Sequence, residues 1–376
     1  MLFMMLAVFF GTIAQKKLGL VEAQRIYFDS AFVMWEPTNG ISIPVLPGGY
    51  LLMAVLFINM LCGAIIRARK TPKAVGILIA HISIMFMLVA GFVSFYWKTD
   101  GNMQLLEGNQ SNQFVSFHER VIEITPVPKT AGAKREAWQV PFEQFRHTDG
   151  QATATFQNKD LPFSLTVERY YHNCIPAVDE KQSPLVIDGV RLQEQPTDPQ
   201  DEANNAGAYV AIKPKDGSAT QRSIVWDRDD MAPWTIEQGG VTYSVRLTRQ
   251  RWTMPFLIKL KSAKQENYPG TMKAKSYSSD VTVIEDGTEH TRTISMNEPI
   301  RSQGYAVFQS TMGKGQLSTG RIVNSSGFQV AKNPSDHWPL ISCIFVGIGL
   351  LIHFLQSLIK WLLRMQKQAS SGTASV

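Results

Sequence analysis

Three stretches of this chain, residues 44–66, 74–97 and 338–359, contain no Asp, Glu, Lys or Arg. Together they make 69 residues without a formal charge, so all 68 acidic and basic residues lie elsewhere. A single water-soluble globule does not segregate its charges in this way. Each window is long enough for an apolar helix to cross a bilayer: 24 residues rise roughly 36 Å, against about 30 Å of hydrocarbon. The near-neutral mean hydropathy of −0.07 is therefore the average of two phases. The pattern excludes a simple cytosolic enzyme, a collagen-like chain and a disordered chain.

Met1–Ala14 is a fourth apolar run, followed by Lys16 and Lys17. No basic residue precedes it and no convincing cleavage site follows, which argues against a signal-peptide core. It is read as a short or clipped first transmembrane helix, with an interfacial segment as the alternative. Between the second and third spans, residues 67–73 (Arg-Ala-Arg-Lys-Thr-Pro-Lys) carry four positive charges and no acid. The positive-inside rule places that loop in the cytoplasm. Lys360, Arg364 and Lys367 then fall on the same side, and the net charge of +6 needs no nucleic acid to explain it. Trp97, Trp338 and Trp361 stand at span ends, where indole rings favour the interface. The expected architecture is four transmembrane α-helices (about 1–15, 44–66, 74–97 and 338–363) embedded in the lipid bilayer. An extracytoplasmic β-rich domain over 98–337 and a cytoplasmic tail over 364–376 complete it.

The outer block is large enough to bury its own core. Phe163–Tyr170, Ala208–Ile212, Val241–Leu247 and Asp280–Ile284 alternate with period two and predict strands. Asp149-Gly150 and Asp286-Gly287 predict turns, and residues 127–137 and 194–207 read as polar loops. Cysteine is scarce. Cys62 and Cys343 lie in spans and only Cys174 is outside, so the β domain has no internal disulfide. A lone Cys174 is more often inert than reactive. The absence of CxxC argues against a thiol-disulfide carrier, and the absence of CxxCH means that the chain carries no c-type haem itself.

No phosphate loop, GxSxG, HExxH or ligand-spaced Cys/His cluster is present, and no catalytic residue is assigned. The residue that stands out is His81, in Gly76-Ile-Leu-Ile-Ala-His-Ile-Ser. An imidazole in an apolar span faces a partner, a cavity or a cofactor. On the residues alone, a hydrogen bond to a neighbouring helix, involving Ser83, competes with a ligand role. His353 in the last span sits at a comparable distance from its cytoplasmic end, roughly 9–10 Å, which permits two axial ligands on one haem iron. Packing or an interhelical hydrogen bond competes there too. His118, His147, His172, His290 and His337 match no metal spacing and read as solvated surface residues.

The chain resembles the ResB/CcsB family, membrane components of System II cytochrome c biogenesis. The resemblance runs in order through Phe10-Gly-Thr-Ile-Ala-Gln15, Ile58-Asn59, Cys62 and the His81 span closing on Gly91. It continues through Asp100–Gly108 with its Glu-Gly pair, Tyr268-Pro-Gly-Thr271, Ser279–Ile284, Met296–Ile300 and Gly304-Tyr-Ala-Val-Phe-Gln-Ser310. Asn333-Pro334 then leads into the last span. The short first span departs from the family pattern.

The resemblance implies a multi-pass protein of the bacterial cytoplasmic (inner) membrane. Such a protein works with a ResC/CcsA-like membrane partner that bears a WWD segment, to move haem outward and support its attachment to CxxCH apocytochrome c. A thioredoxin-like thiol reductase is a further partner of this scheme. The chain would be a non-catalytic or co-catalytic subunit of a haem lyase complex, with haem as a transient cofactor. The family's transmembrane histidine maps onto His81 as a candidate axial haem ligand, the metal being held through haem iron only; His353 is not carried over. Two other classes stay open: an accessory subunit of a membrane transporter, and a membrane-anchored protein-binding β domain.

Overall fold

The computed structural model describes residues 2–38, 41–68, 70–127, 137–179, 183–228 and 232–372. Two units emerge, one holding the apolar helices (1–15, 22–99 and 331–376) and one holding most of the strands (16–21 and 100–330).

The first unit contains most of α1 (Leu2–Leu18) and of α2 (Leu20–Tyr27), the hairpin β1 (Phe32–Thr38) and β2 (Ile41–Pro47), α3 (Gly49–Met60), α4 (Val75–Trp97) and α5 (Trp338–Gly372). α3 runs on through a π-helical turn, Leu61–Ile66, and a 3₁₀ turn opened by Pro72 precedes α4. Three helices are long and apolar enough to cross a membrane: Gly49–Ile66, Pro72–Trp97 and Trp338–Gln366. α1 has 17 residues, about 26 Å, shorter than the hydrocarbon it would have to cross.

Two boundaries differ from expectation. Residues 44–47 share the charge-free window of the second span yet belong to strand β2, because Pro44 and Pro47 disfavour helix and Gly48-Gly49 resets the chain. Hydropathy measures solvent preference, not backbone conformation. α5 continues past 363 through a run of strong helix formers that no Pro or Gly interrupts until Gly372.

The second unit is almost wholly β. Its strands are β3 (Thr99–Leu106), β4 (Gln110–Val127), β5 (Trp138–Pro141), β6 (Asp149–Gln157), β7 (Phe163–Tyr171), β8 (Cys174–Val178), β9 (Val190–Glu194) and β10 (Gly207–Pro214). β11 (Gln221–Trp226), β12 (Trp234–Gln238), β13 (Val241–Asn267), β14 (Ala274–Glu285), β15 (Thr288–Ser295), β16 (Ile300–Ser302), β17 (Tyr305–Gln316) and β18 (Ile322–Lys332) follow. A four-stranded sheet has the order β11-β10-β7-β6. A ten-stranded sheet runs β15-β14-β13-β4-β3-β18-β17-β16, with β12 beside β13 and β5 beside β4, and β8–β9 form a separate hairpin.

Two hydrophobic cores result. The first packs Leu165, Val167, Val210 and Ile212 of the small sheet with Ile122, Ile124, Val245 and Leu247 of the large one. The second gathers Phe114, Met254, Phe256, Ile258, Val281, Val307 and Phe328. β4 and β13 thread both cores. Asp286-Gly287 forms the expected turn, both residues at positive φ (48° and 79°), as a two-residue hairpin of type I′ requires. Asp149-Gly150 does not: it opens β6 at a register irregularity, where Asp149 Oδ1 accepts from the Gln151 and Ala152 N–H groups. Of the expected loop 127–137, residues 128–136 lie outside the described residues.

Candidate functional site

Small residues set the geometry around the two histidines of the long apolar helices. Gly76, Ala80, Ser83 and Ala90 are buried on α4, at the spacing of one helix face. A Cβ on Gly76 would sit 2.7 Å from the His353 backbone N, and one on Gly349 would sit 2.8 Å from the Ala80 N. α4 and α5 therefore touch backbone to backbone, as small residues in membrane helices allow. Ser335 Oγ donates to the Ala90 carbonyl (2.9 Å) and Asn333 Nδ2 to Ser94 Oγ (3.1 Å), tying the entry of α5 to the far end of α4.

This register separates the two histidines. His353 lies beside Gly76, on the crossing itself, with its ring 5.9 Å from that of Phe354. His81 is five residues further along α4, about 7.5 Å along the axis and roughly 140° around it. Equal depth thus gives way to an offset.

His81 Nδ1 lies 2.8 Å from the Ile77 carbonyl oxygen. A carbonyl only accepts, so Nδ1 donates, and in the neutral ring the lone pair is then on Nε2. Among the described residues Nε2 has no hydrogen-bond partner. Ser83 bonds elsewhere, donating to the Ile79 carbonyl (2.8 Å). The ring is half-buried. One ring nitrogen is thus oriented by a backbone oxygen of the same helix, and the other is left open.

The β domain contains a polar cluster that sequence reading missed. Arg120, on β4, is 1 % exposed. Its Nε donates to Asp227 (3.0 Å) and its Nη2 to the Asn204 carbonyl (2.8 Å), while Nη1 lies 3.8 Å from Asp201. His118 and His172, expected on the solvated surface, are partly exposed there and also clasp Asp201 from two sides (3.0 and 2.7 Å). They are half-exposed but not free. Burial alone would raise the Asp201 carboxyl, yet the hydrogen bonds from His118 and His172 and the Arg120 charge outweigh it and hold it far below the usual carboxylate range. A signal existed: Arg120 shares the strand parity of the core residues Ile122 and Ile124, so it points where a charge must find partners. The cluster ties the 195–206 loop to the sandwich.

Four residues within the stretches that carry the resemblance, Glu107, Ser279, Asp280 and Gln309, make polar stitches in the larger sheet. Ser279 Oγ, fully buried, lies 2.7 Å from Gln309 Oε1 and 2.8 Å from Ser326 Oγ, and Gln309 Nε2 donates to Ser326 Oγ (2.8 Å). Glu107 Oε1 accepts from the Ala263 N–H (2.8 Å) and from Asn324 Nδ2 (3.1 Å), joining β13 to β18. Asp280 accepts from Thr293 (2.8 Å), Lys264 (3.0 Å) and Ser262 (2.9 Å), which hold its carboxyl down to about 2. These residues build the sheet rather than a surface.

A cavity of about 240 Å³ opens between β11, β12 and β13, lined by Trp226, Trp234, Arg246 and Thr248 among others. It falls below the roughly 300–1,000 Å³ of small-molecule sites and suits a single side chain. Cys174 is buried, and burial pushes its thiol up to about 12, so it holds little thiolate near neutrality. Among the described residues no group of three His, Cys, Asp or Glu forms a metal site.

Residues 234–324, from β12 into β18, match the sequence model of the ResB-like family. The matched stretch holds Ser279, Asp280, Gln309 and Asn324 but not His81. The comparison with curated proteins finds no match.

Proposed function

We propose that this chain, whose residues 234–324 match the ResB-like family, serves cytochrome c biogenesis as the haem-handling membrane subunit of a System II synthetase. In this reading it holds haem within the membrane. A ResC/CcsA-like partner bearing a WWD segment completes outward passage and covalent attachment to apocytochrome c. A thioredoxin-like reductase keeps the receiving cysteines as thiols. α1 is the first of four spans, residues 67–73 lie in the cytoplasm, and the β domain stands outside the bacterial inner membrane.

The observation that carries the reading is His81. Its Nδ1–H is committed to the Ile77 carbonyl, and its Nε2 lone pair is unclaimed among the described residues, in a helix otherwise built of apolar and small residues. An unclaimed imidazole nitrogen at membrane depth is costly unless a ligand takes it. Neutral imidazole is an axial ligand for haem iron. Haem, the cargo, brings the iron and the vinyl groups that thiolates attack; the chain binds and orients it. His353, at the α4–α5 crossing, sets helix spacing in this scheme, and the second axial ligand comes from the partner.

The test is His81→Ala in the complex co-expressed with its WWD partner. Haem absorbance per protein and cytochrome c maturation fall by roughly tenfold or more, and added imidazole restores part of both. Full haem and full maturation in the variant would leave His81 a structural residue. The cavity between Trp226 and Trp234 favours a second reading, a membrane-anchored β domain that grips a protein side chain. There Trp234→Ala weakens partner capture while His81→Ala changes nothing.

A further inference from the structure

We infer that the β1–β2 hairpin is a membrane-interface element, seated flat in the headgroup layer of the leaflet from which α3 departs. Six large apolar side chains on it are exposed: Phe32 (49 %), Met34 (47 %), Trp35 (58 %), Ile41 (57 %), Ile43 (41 %) and Val45 (55 %). They stand on both faces. Trp35 pairs with Ile43 on one face, Met34 pairs with Pro44 on the other, and a bulge at Val45 flips the parity between. A hairpin on the surface of a water-soluble unit is apolar on one face only.

The occupant follows from what the hairpin is attached to. Gly48 N donates to the Ala31 carbonyl and Tyr50 N to the Phe28 carbonyl, both at 2.8 Å. A Cβ on Gly48 would collide with the Ser30 backbone. No slack linker therefore lies between the hairpin base and the first turn of α3, and the hairpin goes where that helix end goes. α3 with its π turn covers 18 residues, about 27 Å, a few ångströms short of the hydrocarbon, and none of that span is buried inside the protein. The lipid-facing surface of α3 thus continues into the hairpin without a break. Glu36 is the only charged residue from Phe32 to Ile66.

The depth is set by the backbone. Two strands leave two unpaired edges, which hydrocarbon does not tolerate but the hydrated interface does. Three of the fourteen strand positions are proline (Pro37, Pro44 and Pro47) and have no N–H to leave unsatisfied. Trp35 carries the ring type that membranes hold at the headgroup level. At about 24 Å the hairpin is longer than the interfacial layer is thick, so it lies along the surface.

Spin labels test this on the full chain in phosphatidylcholine vesicles. Cysteines placed by Met34→Cys and Ile43→Cys, in a C62A/C343A background that keeps the buried Cys174, are compared with Met272→Cys on the 91 % exposed β-domain residue. Oxygen relaxes the labels at 34 and 43 several-fold more than a water-soluble nickel chelate does, and the order reverses at 272. A nickel response at 34 and 43 equal to that at 272 means that the hairpin stands in water and overturns the inference. Protection from both reagents overturns it too, because the hairpin is then covered by protein or by a second copy. Trp35→Phe supplies a conservative second measurement: it removes a measurable share of the tryptophan quenching by brominated phosphatidylcholine, and an unchanged quenching curve refutes the placement.

Discussion

Arg120→Met removes the one cation that the folded β domain buries almost completely among the described residues. The Arg120 side chain is 1 % exposed, and the carboxylates that it faces, Asp227 and Asp201, are 10 % and 11 % exposed. Breaking a buried pair by deleting one partner costs about 3–5 kcal/mol, since the remaining charge stays buried without compensation. Each kcal/mol moves the midpoint by about 2–4 °C in a domain of 150–250 residues, so the variant melts roughly 6–20 °C lower. Arg249, 3.7 Å from Asp227, moderates the loss towards the lower end. Thermal unfolding of the solubilised full chain, followed by tryptophan emission and by β-sheet circular dichroism, reads this directly. Replacing the cluster as a unit (R120M/D201L/D227L) recovers much of the stability, because no charge is then left stranded. A single variant that melts within about 2 °C of the parent refutes the argument. A triple variant less stable than the single one refutes it as well.

Three further outcomes follow from geometry on the other elements. Asp280, held at about 2 when folded and near 4 when unfolded, contributes stability that is complete above about pH 4 and lost as pH falls towards 2; the melting difference between the parent and Asp280→Asn shrinks over that interval, and a difference that is flat with pH contradicts it. Ser279→Ala leaves Gln309 and Ser326 short of a buried partner and lowers stability by about 1–3 kcal/mol, measured by denaturant titration. Gly76→Leu forces a side chain into the backbone of α5 and costs about 1–3 kcal/mol, with a lengthened spin-label distance across the α4–α5 crossing as its signature.

What was legible in the sequence was what solvent decides. Charge-free runs located the three long apolar helices, and period-two alternation located β7, β10, β13 and β14, because one-sided burial writes directly into residue order. The same logic misassigned residues 44–47, where an apolar strand and an apolar helix look alike until the prolines are weighed. Strand length was under-read: Val241–Leu247 is the first quarter of a strand that reaches Asn267, since its later half is bordered by charged residues on an exposed face. The clasp of His118 and His172 on Asp201 joins positions 83 and 29 residues apart, and no local pattern encodes such a meeting. His81 was visible as an interruption. Which of its nitrogens is committed depends on the Ile77 carbonyl, a contact set by side-chain rotamer and not by residue order.

The two strands that run through both cores also set the timetable of folding. β4 pairs with β13 from Val127 with Thr242 to Gln110 with Lys259, partners separated by 115 to 149 residues. At about 5–20 residues per second of synthesis, β4 emerges roughly 6–30 s before the strand that covers its edge exists. Neither core closes before then, because each draws residues from β13. For that interval an eighteen-residue strand with apolar flanks has an open edge, the state in which chains aggregate or meet a chaperone. Once β13 arrives, the two cores lock together, and heat undoes them in one transition rather than two.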